Sequence, residues 1–101
     1  MSIRIRTELT DGIVTVRALI KHPMETGNRK DPAGRLIPAH YLREVVCAHN
    51  GKPVLTAHWG PAISRNPYLS FRFAGAKPGD GLTLRWEDNQ GNRDAVQVKI
   101  S

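Results

Sequence analysis

Cys47 and His49 stand two residues apart, and His58 follows a short way along the chain. A thiol and two imidazoles are the residue types of a thiolate–imidazole nucleophile, or of a metal site once all of them converge. Asn50-Gly51 between two apolar-alternating runs is a strong hairpin signal. Alternation places Leu55, Ala57 and Trp59 on the more apolar face, and Val46 and Ala48 are expected to join them. Cys47, His49, Thr56 and His58 are then left on the opposite face. A two-residue loop (Asn50-Gly51) and a four-residue loop (Asn50 to Pro53) predict the same facing, because the two registers differ by two residues. Cys47 and His58 become diagonal neighbours at roughly 7–8 Å. Zinc sites use closely spaced ligand pairs, which this set lacks, so neither a metal nor another cofactor is expected. As a nucleophile, Cys47 lacks a glycine-rich turn or helix N-terminus to lower its pKa. An inert, partly buried thiol is the expectation.

A second group lies between His22 and His40 in the segment HPMETGNRKDPAGRLIPAH. The two histidines bracket Glu25 and Asp31, the residue types of an acid–base set, but the spacing fixes no geometry. Pro23, Gly27, Pro32, Gly34 and Pro38 make it a loop. A loop of this length in a small domain is usually functional or disordered. No glycine-rich phosphate motif is present.

The elements around these residues read as strands. Ile3, Ile5 and Leu9 alternate with Arg4, Arg6 and Glu8, the period of a half-buried strand. Asp11-Gly12 signals a tight turn before the β-branched run from Ile13 to Val16. Tyr41 to His49 and Val54 to Trp59 flank Asn50-Gly51. Leu69, Phe71 and Phe73 form a further strand pattern, as do Leu82, Leu84 and Trp86, and then Ala95 to Ile100. Only Ala39 to Val46 has spacing that competes as a short helix. The prediction is an all-β fold, an immunoglobulin-like β-sandwich of about seven antiparallel strands, built as a single domain over residues 1–101.

Composition narrows the function classes. The 101 residues are 40% hydrophobic and carry a net charge of +6, from 15 Lys and Arg against 9 Asp and Glu. That suits an acidic partner, an anionic substrate or nucleic acid. A single-strand platform would expose aromatics among basic residues. Here Phe71, Phe73 and Trp86 fall on apolar faces, and Arg4, Arg6, Arg17, Arg72 and Arg85 are scattered over the others. No nucleic-acid partner is therefore expected. No stretch has the apolar length of a membrane span, so no membrane partner is expected either. One cysteine excludes an internal disulfide. Met1-Ser2-Ile3-Arg4 leads straight into alternating residues, which reads as a chain without its own signal peptide.

The wording of the chain resembles one family. His22-Pro23-Met24-Glu25-Thr26-Gly27 is followed by Arg29-Lys30-Asp31, Gly34 and Ile37-Pro38-Ala39-His40. A second block holds Gly60-Pro61, Ile63-Ser64, Asn66-Pro67-Tyr68, Phe71-Arg72-Phe73 and Gly75-Ala76-Lys77-Pro78-Gly79-Asp80. A third is Trp86-Glu87-Asp88-Asn89 with Gly91. Together these blocks, from about residue 15 to residue 92, resemble the SoxZ family. The resemblance implies the smaller subunit of the SoxYZ sulfur carrier of thiosulfate oxidation, with an immunoglobulin-like fold and no catalytic role. Its implied partner is a SoxY-like subunit that holds the sulfur intermediate on a cysteine in a C-terminal Gly-Gly-Cys-Gly-Gly arm. Transient contact with other thiosulfate-oxidation enzymes is also implied, as is a periplasmic location reached by co-export with the partner. The sequence closes on Gln97-Val98-Lys99-Ile100-Ser101 without such an arm, so the carrier-cysteine role is not expected to transfer to it.

Two sets of contacts are expected on this reading. A sheet face with Val45, Cys47 and Thr56 packs on the partner subunit. In the long segment, His22, Met24, Glu25, Arg29, Lys30, Asp31 and His40 fix the loop or present the carrier arm. Arg29 and Lys30 favour anionic adducts or acidic surfaces, and Glu25 and Asp31 tie the loop down. The alternative is a free-standing sandwich domain that binds an anionic ligand or redox partner through residues 22–40. An enzyme using Cys47 and a histidine is the least favoured class.

Overall fold

Period-two alternation produces every strand of the chain in a computed structural model that describes residues 2–101. The strands are β1 (Ile3–Thr10), β2 (Ile13–Ile20), β3 (Leu42–His49), β4 (Lys52–His58), β5 (Tyr68–Ala74), β6 (Gly81–Asp88) and β7 (Arg93–Lys99). There is no helix among the described residues. The stretch from Ala39 to Val46, with its helix-like spacing, mostly enters β3 because Val45 and Val46 are β-branched and pair on both sides. The strands form a three-stranded sheet of order β1-β2-β5 and a four-stranded sheet of order β4-β3-β6-β7, all antiparallel. This is the immunoglobulin-like sandwich that the alternation predicts.

Both predicted tight turns are two-residue loops. Thr10 pairs with Ile13 around Asp11 (φ 52°) and Gly12 (φ 76°), and His49 pairs with Lys52 around Asn50 (φ 49°) and Gly51 (φ 85°). Positive φ at both central residues matches the right-handed twist of the flanking strands, which is why Asp-Gly and Asn-Gly occupy these corners.

The core lies between the sheets. Val14, Val16, Ala18 and Ile20 of β2 face Val45 and Cys47 of β3 and Leu82, Leu84 and Trp86 of β6. Each buried branched aliphatic side chain contributes about 1.5–3 kcal/mol. Leu69, Phe71 and Phe73 pack against this cluster from β5, as their alternation predicts.

One facing departs from the sequence reading. Leu55 and Ala57 point inward as expected, but their inward partners are Cys47 and Val45 rather than Val46 and Ala48. The cause is a β-bulge. Ala48 pairs with Pro53, but Cys47 pairs with Leu55, so Val54 is an extra residue on β4. A one-residue shift moves every side chain beyond it to the other face. Val45 and Cys47, expected on a partner-binding surface, are therefore fully buried inside this chain. Thr56 stays on the outer face, opposite Val46.

Candidate functional site

The segment from His22 to His40 is a structured excursion rather than a loose loop. Glu25 and His40 form a bridge with hydrogen bonds in both directions, 2.7 and 3.0 Å. Lys30 and Leu36 form another further out. Asp31 shapes the tip, where its Oδ1 accepts the N–H groups of Ala33 (2.9 Å) and Arg35 (3.0 Å). The two arms approach closely at Gly27, whose φ of 87° disfavours a side chain and where a Cβ would crowd that of Ala39 at 3.2 Å.

The base of the excursion is held by Asp88, at the end of β6. Its Oδ1 accepts the N–H groups of Gln90 (3.0 Å) and Asn92 (2.9 Å), forming the turn into β7. Its Oδ2 meets His22 Nε2 at 3.1 Å, His40 Nε2 at 2.7 Å and the Asn92 amide at 3.1 Å. One buried carboxylate thus joins the start of the excursion, its end and the β6–β7 turn. Asn89 adds to the same junction by donating to the Ala39 carbonyl and accepting the Tyr41 N–H. Asn66 brings in the 59–67 connection by accepting the His22 N–H at 3.0 Å and donating its own N–H to the His22 carbonyl.

The protonation states follow from this geometry. Met24 donates its N–H to His22 Nδ1 at 3.1 Å, so the His22 proton sits on Nε2 and points at Asp88. Burial pushes the His22 pKa below its ordinary value, against the pull of the Asp88 hydrogen bond. Burial alone would raise the Asp88 pKa. Hydrogen bonds from His22, from the side chain and backbone of Asn92, and from His40 outweigh it and hold the carboxyl well below the usual carboxylate range. The pair is therefore a neutral imidazole donating to a carboxylate.

His22, His40 and Asp88 bring their ligand atoms within 4.8 Å of one another. A cation on His22 Nε2 would force the proton onto Nδ1, where it would confront the Met24 N–H donor to donor. The cluster is suited to hydrogen bonding rather than to coordination. As a catalytic set it lacks a nucleophile, since no hydroxyl or thiol hydrogen-bonds either ring among the described residues.

The bracketing histidines do meet, but on Asp88 and not on Glu25 or Asp31. Glu25 instead pairs with Arg29, whose hydrogen bond holds the carboxyl below its ordinary range. Asp31 is taken up by its turn, and Lys30 is exposed. Met24 is buried at φ 50°, and its sulfur accepts the Leu42 N–H at 3.3 Å. The Cys47 grouping comes apart. His49 shares the inner face but bonds Asp80 Oδ2 at 2.7 Å, and His58 lies on the outer face near Glu44. Burial pushes the Cys47 thiol up to about 11, which is the opposite of nucleophile activation. The residue that sequence reasoning missed is Asp88. Its one local signal is a carboxylate at a strand end before Asn-Gln-Gly-Asn, a turn-capping pattern.

The arrangement defines a small immunoglobulin-like β-sandwich whose polar centre is a structural junction anchoring a long excursion. The family model described as Sulphur oxidation protein SoxZ matches residues 3–99, and the chain belongs to that family. It is a sulfur oxidation protein. Among curated proteins none matches the chain.

Proposed function

We propose that this chain is the noncatalytic scaffold subunit of a two-chain sulfur carrier in thiosulfate oxidation, working in the periplasm. Its partner is a SoxY-like subunit whose Gly-Gly-Cys-Gly-Gly arm bears the sulfur. The observation that carries this reading is the state of Cys47. It is the one cysteine of the 101 residues, wholly buried, with its thiol pushed up to about 11. A carrier thiol must be exposed and readily ionised, so Cys47 is unsuited to that role, which supports a reading in which a partner supplies the carrier cysteine.

With Val45 and Cys47 inside, the partner face is assigned to the outer side of the four-stranded sheet. Val46, Ala48, Thr56, Thr83 and Ala95 make most of its middle uncharged, with Arg85 the one charge between Val46 and Ala95, and a second sheet can pack on it. The excursion then serves as a rigid projection beside the partner's arm, available for transient contact with other thiosulfate-oxidation enzymes.

Native mass spectrometry of this chain, co-expressed with a Gly-Gly-Cys-Gly-Gly protein encoded beside it, tests the reading. The expected result is a one-to-one complex whose added sulfur mass, after loading with thiosulfate and the pathway's cytochromes, maps to the partner's arm. Ala48→Asp should split the complex. Separate monomers, or sulfur mass on Cys47, would overturn the proposal.

A further inference from the structure

The outer face of the three-stranded sheet is rich in arginine. Arg4 and Arg6 of β1, Arg17 of β2 and Arg72 of β5 all project from it, and Glu8 is the one acidic residue among its strand positions. Arg6 lies directly opposite Arg17 in the register. Like charges in that relation destabilise a sheet. No ion pair relieves any of these arginines among the described residues. The face therefore carries an excess of like charge that only Glu8 offsets.

Beside the arginines runs an apolar strip. Leu19 pairs with Tyr68, which is 61% exposed, and the two border a groove of about 490 Å³ that Arg4, Arg6 and Arg17 also line. Guanidinium groups are planar forks that bind carboxylates two bonds at a time. Fixed at strand spacing around an apolar groove, they match carboxylates on a chain that also offers an apolar side chain between them. With Tyr68 as the one exposed aromatic, the face has no platform on which successive bases could stack, so it suits carboxylates better than a single nucleic-acid strand.

We propose that this face docks an acidic protein segment in which Asp or Glu residues alternate with an apolar side chain. Size sets the kind of contact. Strands of eight residues at about 3.3 Å per residue, three across at about 4.8 Å, cover roughly 400 Å². That is about half of what each side of a stable interface contributes. The docking is transient and salt-sensitive, and distinct from the permanent interface assigned to the other sheet.

The test is a titration of the ¹⁵N-labelled full chain with a synthetic peptide of alternating glutamate and leucine, followed by amide shifts. The expected shifts concentrate on Arg4, Arg6, Arg17, Leu19, Tyr68 and Arg72. Affinity should fall about tenfold or more when salt rises from about 50 to 300 mM. Arg6→Gln combined with Arg72→Gln should weaken binding by about tenfold or more. Removing the Arg6–Arg17 repulsion should leave thermal stability equal or slightly higher, which separates lost binding from lost fold. Absent shifts, shifts centred elsewhere, or an unchanged affinity in the double variant would overturn the proposal. Tighter binding of oligo(dT) to the same residues would overturn it in favour of a nucleic-acid face.

Discussion

His22 Nε2 donates to Asp88 Oδ2 across a separation of 66 residues, with neither side chain more than 2% exposed. The contact makes the start of the excursion and the β6–β7 turn a single unit, and His40 closes the third side at 2.7 Å. Asp88→Ala strips the acceptor from His22, His40 and Asn92 together. Removing one member of a buried, hydrogen-bonded set costs about 3 kcal/mol or more. Urea unfolding should show that loss, and Asp88→Asn should lose clearly less because one amide oxygen still accepts. Equal stability of all three proteins would mean that water replaces the carboxylate.

The same junction sets the acid limit of the fold. His22 is neutral in the folded protein, with its pKa below the ordinary value of 6.5. The unfolded chain therefore binds the extra proton first as pH falls. This contribution is fully present above about pH 6.5 and declines below it. Asp88, also depressed, adds a further loss below about pH 4, where the unfolded carboxyl takes up a proton and the folded one resists. Unfolding free energy should fall between pH 7 and 5 in the wild type, with a shallower slope in His22→Gln. Parallel slopes would remove His22 from the account.

Cys47 sets a limit on the alkaline side. Its thiol is raised from 9.0 to about 11 by burial. Between those values the unfolded chain releases the proton and the folded chain keeps it, so stability falls as pH rises through the window. A shift of that size corresponds to on the order of 2–3 kcal/mol at full extent. Cys47→Ala should lose the pH dependence between 9 and 11, although a cavity lowers its stability at neutral pH. A thiol reagent should modify the native protein only at the rate of unfolding, and fast modification at pH 8 would contradict the burial.

Much of this was legible in the residues, for identifiable reasons. Two-residue alternation and the Asp-Gly and Asn-Gly turns are local signals, and they specify the seven strands, both hairpin corners and the inward side of Leu55 and Ala57. The bulge at Val54 is not local. It is decided by packing of Cys47 and Val45 against Leu84 and Trp86, which pair with them from the other flank. The site was half legible. His22 and His40 could be singled out as a bracketing pair, but Asp88 lies far away in sequence, and only the sandwich topology brings the end of β6 beneath the excursion.

Arg29 and Lys30 separate structure from recognition in the excursion. The Arg29–Glu25 pair is solvent-exposed on the arginine side, and exposed pairs add little to stability. Arg29→Ala and Lys30→Ala should each leave the unfolding midpoint nearly unchanged. If the excursion guides pathway enzymes by charge, Lys30→Ala should slow turnover of the assembled carrier at low salt more than at high salt. Unchanged turnover at both salts would leave the segment a structural role alone.

The bulge gives the sharpest test of how this chain selects its core. Val54 is the extra residue between the Ala48–Pro53 and Cys47–Leu55 pairs. Deleting it would leave a regular ladder in which Leu55 and Ala57 still face inward, opposite Cys47 and Val45. The variant should therefore fold, losing only the packing of a half-buried valine, about 1–2 kcal/mol. Cys47 should stay closed to thiol reagents. Deleting Thr56 instead leaves Val54 in place, so either the bulge stays and Ala57 turns outward, or the ladder becomes regular and Leu55 does. Either way core area is lost, and the unfolding midpoint should drop well below that of the Val54 deletion. If the Val54 deletion exposed Cys47 while the Thr56 deletion protected it, the register of β4 would be set by the turn and not by the core.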